Sequence, residues 1–341
     1  TVVNIADAVD GRLVNHNPAK ARIPKSYPAP SVVSAVLHAG DLSYADYDGP
    51  RWDAWQEMVE PVAHRVPWMV TAGNHEIEVD RANSSNSFAA LRYRFRMPGK
   101  YSEVKNSFTY LGRRYTGYNH GNFFYSITAG TAVHVFLNSY GASGTGSEQQ
   151  VWLKETLAGV DRKVTPWLFV YMHNPFYNSN SAHHAEDVTV AMQATLEPLF
   201  MQFGVDAVFS GHVHAYERSK RVYQGALNAK GPVYVNVGAA GNREGHQDSW
   251  PHLSPGNWSA VRDGFHYGYG RLTCGNATHA LFEWLGNVQE ADDGGTSGVP
   301  GTVTVDQFFI THPSDAKSDG GAGGEHSAGK ARSHDGGAVD N

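Results

Sequence analysis

The chain has 341 residues, of which 41 % are hydrophobic, with a formal net charge of −6 and a single cysteine, Cys274. That length suits one large domain or two smaller ones with a sizeable core. The charge balance, without a dense basic block, argues against nucleic acid as a partner; no apolar run reaches membrane-span length, and a lone cysteine excludes internal disulfides and thiolate clusters.

In chain order, residues 2–13 place Val2, Ile5, Ala6, Val9 and Leu13 on one side and predict a helix, followed by a polar, proline-bearing loop over 16–31. Val32 to His38 is a β-branched apolar run that predicts a buried strand ending at Gly40-Asp41. Trp52 to Val66 predicts a helix, and Trp68 to Thr71 a short strand ending at Gly73-Asn74-His75-Glu76. Residues 79–113 are mixed and polar and read as a long excursion. FFYSITA and AVHVFLNS, joined by Ala129-Gly130-Thr131, predict a hairpin. Ser147 to Val160 opens with a capping serine and predicts an amphipathic helix. Trp167 to Met172 predicts a buried strand ending at His173, Ala185 to Phe203 a long helix, Asp206 to Ser210 another strand, and Pro232 to Gly238 a further one. From about residue 313 large apolar residues are almost absent, which predicts a disordered tail over 313–341 after a domain covering 1–312. Strands alternating with helices before a β-rich end predict an α/β domain with mostly parallel central strands.

Four of the predicted strands end alike, in HAGDLSYAD, TAGNHEIE, VYMHNPFYNS and FSGHVHAYER. In each, the first polar residues past the strand are metal-donor types. His212 and His214 are separated by one residue and in extended backbone project to the same side, as a pair of imidazole ligands requires. In open α/β sheets, ligands sit beyond the carboxyl ends of the strands, so four such tips can share one cleft. Each Gly-Asp or Gly-Asn taken singly is ordinary turn chemistry. The joint occurrence of Asp41, Tyr44, Asn74, His75, His173, His212 and His214 predicts a metal site.

GDLSY, GNHE, the strand ending in His173 and GHVHAYER resemble the motif set of the calcineurin-like metallophosphoesterases. Tyr44, and YNS at 177–179 followed by His183-His184, narrow the resemblance to the purple acid phosphatases. The resemblance runs from about residue 32 to about residue 285. It implies an α/β/β/α fold, a β-sandwich core flanked by helices. It implies an acid phosphatase acting on small phosphate monoesters at a binuclear centre of Fe(III) and a divalent metal (Zn, Fe or Mn), with a metal-bound hydroxide as nucleophile.

By position, Asp41 resembles the carboxylate shared by both metals, and Tyr44 the phenolate on the ferric ion, whose charge-transfer absorption colours the family. Asn74, His173 and His212 resemble ligands of the divalent metal, and His214 a ferric-site ligand. His75 and His183 resemble residues that meet the substrate phosphate and, for His183, protonate the leaving group; His184 is the alternative, and Glu186 helps to hold the acid. The family has one further ligand, an aspartate in a D-x-G motif upstream of GDxxY. Asp7 and Asp10 lack that context, so the sequence is expected to begin just past the motif, without one core strand and one ferric carboxylate.

Asn83, Asn257 and Asn276 begin N-x-S/T sequons, which fit a secreted or a vacuolar or lysosomal protein. A phosphodiesterase or nucleotide pyrophosphatase of the same superfamily, and an inactive binding-only member, are the rival expectations. Oligomeric state is not legible.

Overall fold

The computed structural model describes residues 33–79, 87–99, 105–118, 122–252, 257–288 and 301–313; the predicted helix at 2–13, the loop at 16–31, Asn83 and the tail beyond residue 313 lie outside these. The chain opens with β1 (Val36–His38), α1 (Gly49–Ala63), β2 (Trp68–Val70) and α2 (Ala89–Arg94). β1 and β2 pair in parallel, with Val36 opposite Trp68 and His38 opposite Val70. A hairpin follows, β3 (Lys105–Tyr110) and β4 (Arg113–Tyr118), and then β5 (Tyr125–Ala129) and β6 (Ala132–Phe136), the hairpin foreseen in the sequence.

Next come α3 (Glu148–Ala158), β7 (Trp167–Tyr171), α4 (Asp187–Gln202), β8 (Ala207–Ser210), β9 (Tyr216–Ser219), β10 (Val222–Tyr223), β11 (Ala226–Leu227) and β12 (Val233–Val237). β13 (Ser259–Asp263), β14 (Gly268–Thr273), β15 (Ala280–Val288) and β16 (Gly301–Ile310) close the fold. The main sheet has seven strands in the order β13-β9-β12-β8-β7-β6-β5. Its centre, β12-β8-β7-β6, is parallel, and its flanks are antiparallel. β14, β15 and β16 form a separate three-stranded antiparallel sheet.

Period-two patterning explains the layers. In β7, Leu168 and Val170 join the cluster made with Leu153, Leu157, Met192, Leu196 and Phe200 of α3 and α4. The alternate residues Trp167, Phe169 and Tyr171 join Phe282 and Trp284 of the second sheet. Successive side chains of a strand point to opposite faces, so one five-residue strand buries itself between helices and sheet. Every residue of β7 is buried, and replacing Phe169 by alanine should cost about 3–5 kcal/mol. Trp52 of α1 joins a further cluster with Val70, Ala72 and Leu91, which packs α1 and α2 against β2.

Local signals set the boundaries. The Ser147 hydroxyl accepts from the Gln150 N–H at 3.3 Å and starts α3. α4 starts two residues later than the pattern predicts, because Ala185 has a left-handed backbone and Glu186 is extended. The excursion at 79–113 holds α2 and β3, which the sequence reading did not anticipate. Among the described residues, no helix is long and apolar enough to cross a membrane.

Candidate metal centre

The tips of β1, β2, β7 and β8 meet at one place. The small sheet is tied to the β5–β6 edge of the main one: Thr71 Oγ1 donates to the Leu137 carbonyl just past β6 at 2.5 Å, and Tyr125 Oη of β5 to the Val70 carbonyl at 2.7 Å. Two glycines allow the close approach. A Cβ on Gly73 would lie 2.2 Å from Asp41 Oδ1, and one on Gly40, which has φ +83°, would lie 2.5 Å from His173 Nδ1. Asp41, Tyr44, Asp46, Tyr47, His183, Ala185 and His212 also have positive φ. Non-glycine residues in that region are uncommon and concentrate where a fold holds strained backbone for function.

Glu76 joins two of the tips. Buried in the short helical turn Asn74–Glu76, it accepts the N–H groups of Asp41 and Gly73 on Oε2, both at 2.8 Å, and that of Leu42 on Oε1 at 2.8 Å. Burial, and then the charge of Asp41, raise its carboxyl to about 7, while the N–H groups of Leu42 and Gly73 pull the other way.

The inner donors come from all four tips. His173 Nδ1 lies 2.7 Å from the Ala39 carbonyl, so it carries the hydrogen, and Nε2 holds the lone pair. That lone pair faces Asn74 Oδ1 at 3.0 Å, Asp41 Oδ2 at 3.2 Å and His212 Nδ1 at 3.1 Å. A carboxylate and an amide oxygen turned on an imidazole lone pair repel unless a proton or a cation lies between them. Without a cation the proton is favoured: burial lowers the basicity of His173, but Asp41 and the Ala39 carbonyl outweigh it, and its pKa is raised. Asp41, His173 and His212 are buried and offer donor atoms all within 4.8 Å of one another.

A second set adjoins it through Asp41. Tyr44 Oη lies 3.3 Å from Asp41 Oδ2 and 3.0 Å from His214 Nε2. His214 Nδ1 lies 3.2 Å from the Gly245 carbonyl, which again turns the lone pair of Nε2 inward. Burial, Asp41 and Glu244 push the Tyr44 hydroxyl far above its ordinary pKa, so a nearby cation is what this phenol needs in order to ionise. Both sets therefore suit metal ions chemically: hard oxygen and imidazole donors, with Asp41 between them.

The remaining sequence-derived residues lie around this centre. His75 donates its backbone N–H to Asp41 Oδ1 at 3.1 Å and its Nδ1–H to Asp46 Oδ1 at 2.8 Å, with Nε2 3.5 Å from Glu244. Burial lowers the basicity of His75, but Asp41, Asp46 and Glu244 together raise its pKa. His183 Nδ1 lies 2.8 Å from Glu186 Oε1, and its ring is 3.7 Å from that of His212, centroid to centroid. His184 turns away: it is exposed and stacks on His252 at 3.6 Å. Of the two histidines the sequence left open, the structure brings His183 to the centre. Asn257 and Asn276 are exposed.

Two residues to which the sequence reading assigns no role, Asp46 and Glu244, also meet His75. Asp46 is also ion-paired with Arg243, so the loop after β12 reaches across to the loop after β1. The Asx turn that Asn242 makes with the N–H groups of Glu244 and Gly245 marks this loop, but nothing in it names its destination.

Comparison with known proteins agrees with this geometry. The calcineurin-like phosphoesterase family model matches residues 13–216. The chain belongs to that family. A model of the iron/zinc purple acid phosphatase-like protein C region matches residues 231–296. Within the family, the chain is 42 % identical over 248 residues to probable purple acid phosphatase 20 of Arabidopsis thaliana, covering 73 % of this chain and 54 % of that one. It is 37 % identical over 274 residues to Fe(3+)-Zn(2+) purple acid phosphatase 12 of the same plant, covering 76 % and 54 %. The solved structure of the purple acid phosphatase PPD1 from yellow lupin (Lupinus luteus) seeds superposes with a TM-score of 0.60 at 25 % identity, covering 80 % of this chain and 46 % of that one. The chain thus spans about half the length of the curated relatives it matches.

Proposed function

We propose that this chain carries the catalytic centre of a metal-dependent acid phosphatase that hydrolyses small phosphate monoesters. The observation behind the reading is the shared carboxylate: Asp41 stands between the Tyr44–His214 set and the Asn74–His173–His212 set. Tyr44 and His214 would hold Fe(III), and Asn74, His173 and His212 the divalent ion, with zinc supported by the Fe(3+)-Zn(2+) relative. When bound, such a pair supplies positive charge that acidifies a water and polarises phosphoryl oxygens.

The protein's own groups do the rest. His75, whose basicity the surrounding carboxylates raise, is placed to meet the phosphate dianion. Glu186 fixes the hydrogen of His183 on Nδ1, so Nε2 is the atom from which a proton would pass to the departing alkoxide. Asp46 fixes His75 through its own Nδ1 in the same way. The rival phosphodiesterase reading is disfavoured by Tyr44. A secreted or vacuolar site of action is part of the proposal, supported by the exposed sequons at Asn257 and Asn276.

Elemental analysis together with a visible spectrum tests the reading. Iron and a divalent metal are expected in equal amounts, with an absorption band that Tyr44→Phe abolishes. Iron-free protein hydrolysing monoesters at full rate, or a diester cleaved faster than a monoester, would refute it.

A further inference from the structure

His212 is buried between two groups of donors and turns a different ring nitrogen to each. Nδ1 faces the inner group, 3.1 Å from His173 Nε2, while Nε2 faces outward, 3.1 Å from Glu186 Oε2. The other oxygen of Glu186 lies 2.8 Å from His183 Nδ1. Donor atoms of His183, Glu186 and His212 all lie within 4.8 Å of one another, as compact a set as the inner one. Left-handed backbone at His183 and Ala185 aims the loop, and Asn174 Nδ2 donates to Glu186 Oε2 at 3.2 Å from a third side. This is the layout of a ligating carboxylate with an outer hydrogen-bond partner.

We propose that His183, Glu186 and His212 form a second, outer divalent-cation site, and that zinc held there in excess inhibits the enzyme by occupying His183. Two imidazoles and one carboxylate select a borderline cation such as Zn²⁺ or Co²⁺ over Mg²⁺ or Ca²⁺, which take oxygen ligands. Binding is a ligand exchange. The cation takes lone pairs on His183 Nδ1, a Glu186 oxygen and His212 Nε2; each neutral ring then carries its one hydrogen on the other nitrogen, Nε2 of His183 and Nδ1 of His212, the second proton of any imidazolium goes to solvent, and water fills the remaining positions. Because one imidazole serves both groups, an ion on Nδ1 leaves the proton on Nε2, and the outer ion then rests on His183 and Glu186 with fewer ligands. The outer site is accordingly tighter when the inner one is empty. The inhibitory consequence rests on the phosphatase reading; the binding does not.

The test uses the full chain and Co²⁺, whose visible bands report nitrogen ligation. A variant without inner donors, Asp41→Asn with His173→Ala, is expected to bind Co²⁺ still, measured by equilibrium dialysis and absorption. Adding Glu186→Gln or His183→Ala should weaken that binding at least about tenfold. In the wild-type holoenzyme, dialysis against Co²⁺ should show a further, weaker equivalent that Glu186→Gln removes, which keeps the test valid if the inner variant does not fold. Added Zn²⁺ should depress wild-type turnover while leaving the residual turnover of His183→Ala unchanged. The proposal is overturned if Co²⁺ binding outside the inner set is absent, or if it survives Glu186→Gln and His183→Ala together. Outer binding in a chain that hydrolyses no phosphoester would instead sink the phosphatase reading and leave the site standing.

Discussion

The inner and outer halves of the centre are built differently. Inner donors sit on strand tips, and two of the three imidazoles have their second nitrogen tied to backbone, His173 to the Ala39 carbonyl and His214 to that of Gly245, while His212 turns its own to Glu186. Outer groups sit on the loops at 178–186 and 241–246 and are held mainly by other side chains, as His183 is by Glu186, and Arg243 by Asp46 of the loop after β1. Backbone ties fix a ligand as firmly as the sheet itself. Side-chain ties leave the partially exposed His183 and Glu244 free to adjust to a substrate. The difference matches the two tasks, since ion spacing must be constant while leaving groups vary.

Substitutions can break this contrast, from the largest effect downward. Asp41→Ala removes the carboxylate common to both inner sets, so bound metal and phosphatase rate should vanish together, the rate by about a thousandfold or more. An Asp41→Ala protein with full metal content and rate would sink the assignment. Gly73→Ala should nearly match it, since its Cβ would fall 2.2 Å from Asp41 Oδ1; metal content and melting temperature should both drop.

His183→Ala touches only the outer half. Metal content should persist, and kcat should fall about a hundredfold or more on alkyl phosphates but far less on aryl phosphates, whose leaving groups need no proton. Equal losses on both substrates would remove His183 from the acid role. Asp46→Asn should be milder, raising KM more than it lowers kcat, because it weakens the hold on His75 without removing the ring.

The smallest effect lies outside the centre and concerns stability. His312 Nδ1 sits 3.0 Å from buried Asp206, which also pairs with Arg162 at 2.7 Å. The hydrogen bond that His312 donates to Asp206 raises the His312 pKa above its usual value, with burial opposing. A raised folded pKa means the stabilisation is fully present below about pH 6.5 and is lost as pH rises through the folded value. Replacing His312 by asparagine should therefore cost about 1.5–3 kcal/mol in acid and progressively less in alkali, read by denaturant melts across pH.

Much of the centre was legible because metal ligation leaves a local mark. A glycine lets the chain turn at a strand end, and the donors follow within four residues, as in Gly40-Asp41 with Tyr44 and Gly211-His212 with His214. The alternation in Trp167–Tyr171 likewise marks a strand buried on both faces. What escaped the reading depends on contacts across long separations. Glu244 reaches His75 from a loop on the far side of β12, with only an ordinary turn to announce it. The β3–β4 hairpin turns through Leu111 and Gly112, both left-handed, and Leu-Gly lacks the Asn-Gly signature that flags such turns. The two-residue delay of α4 is tertiary as well, since left-handed turns at His183 and Ala185 override the helical pattern there.

The Glu76 carboxylate holds N–H groups from two different strand tips on one side chain. Neither tip can drift without the other, so the gap between the loops that carry Asp41 and Asn74 works as a gauge set during folding. An ion arriving at this gauge meets a fixed span to match or miss, and discrimination among cations of different radius is built in before any of them is bound.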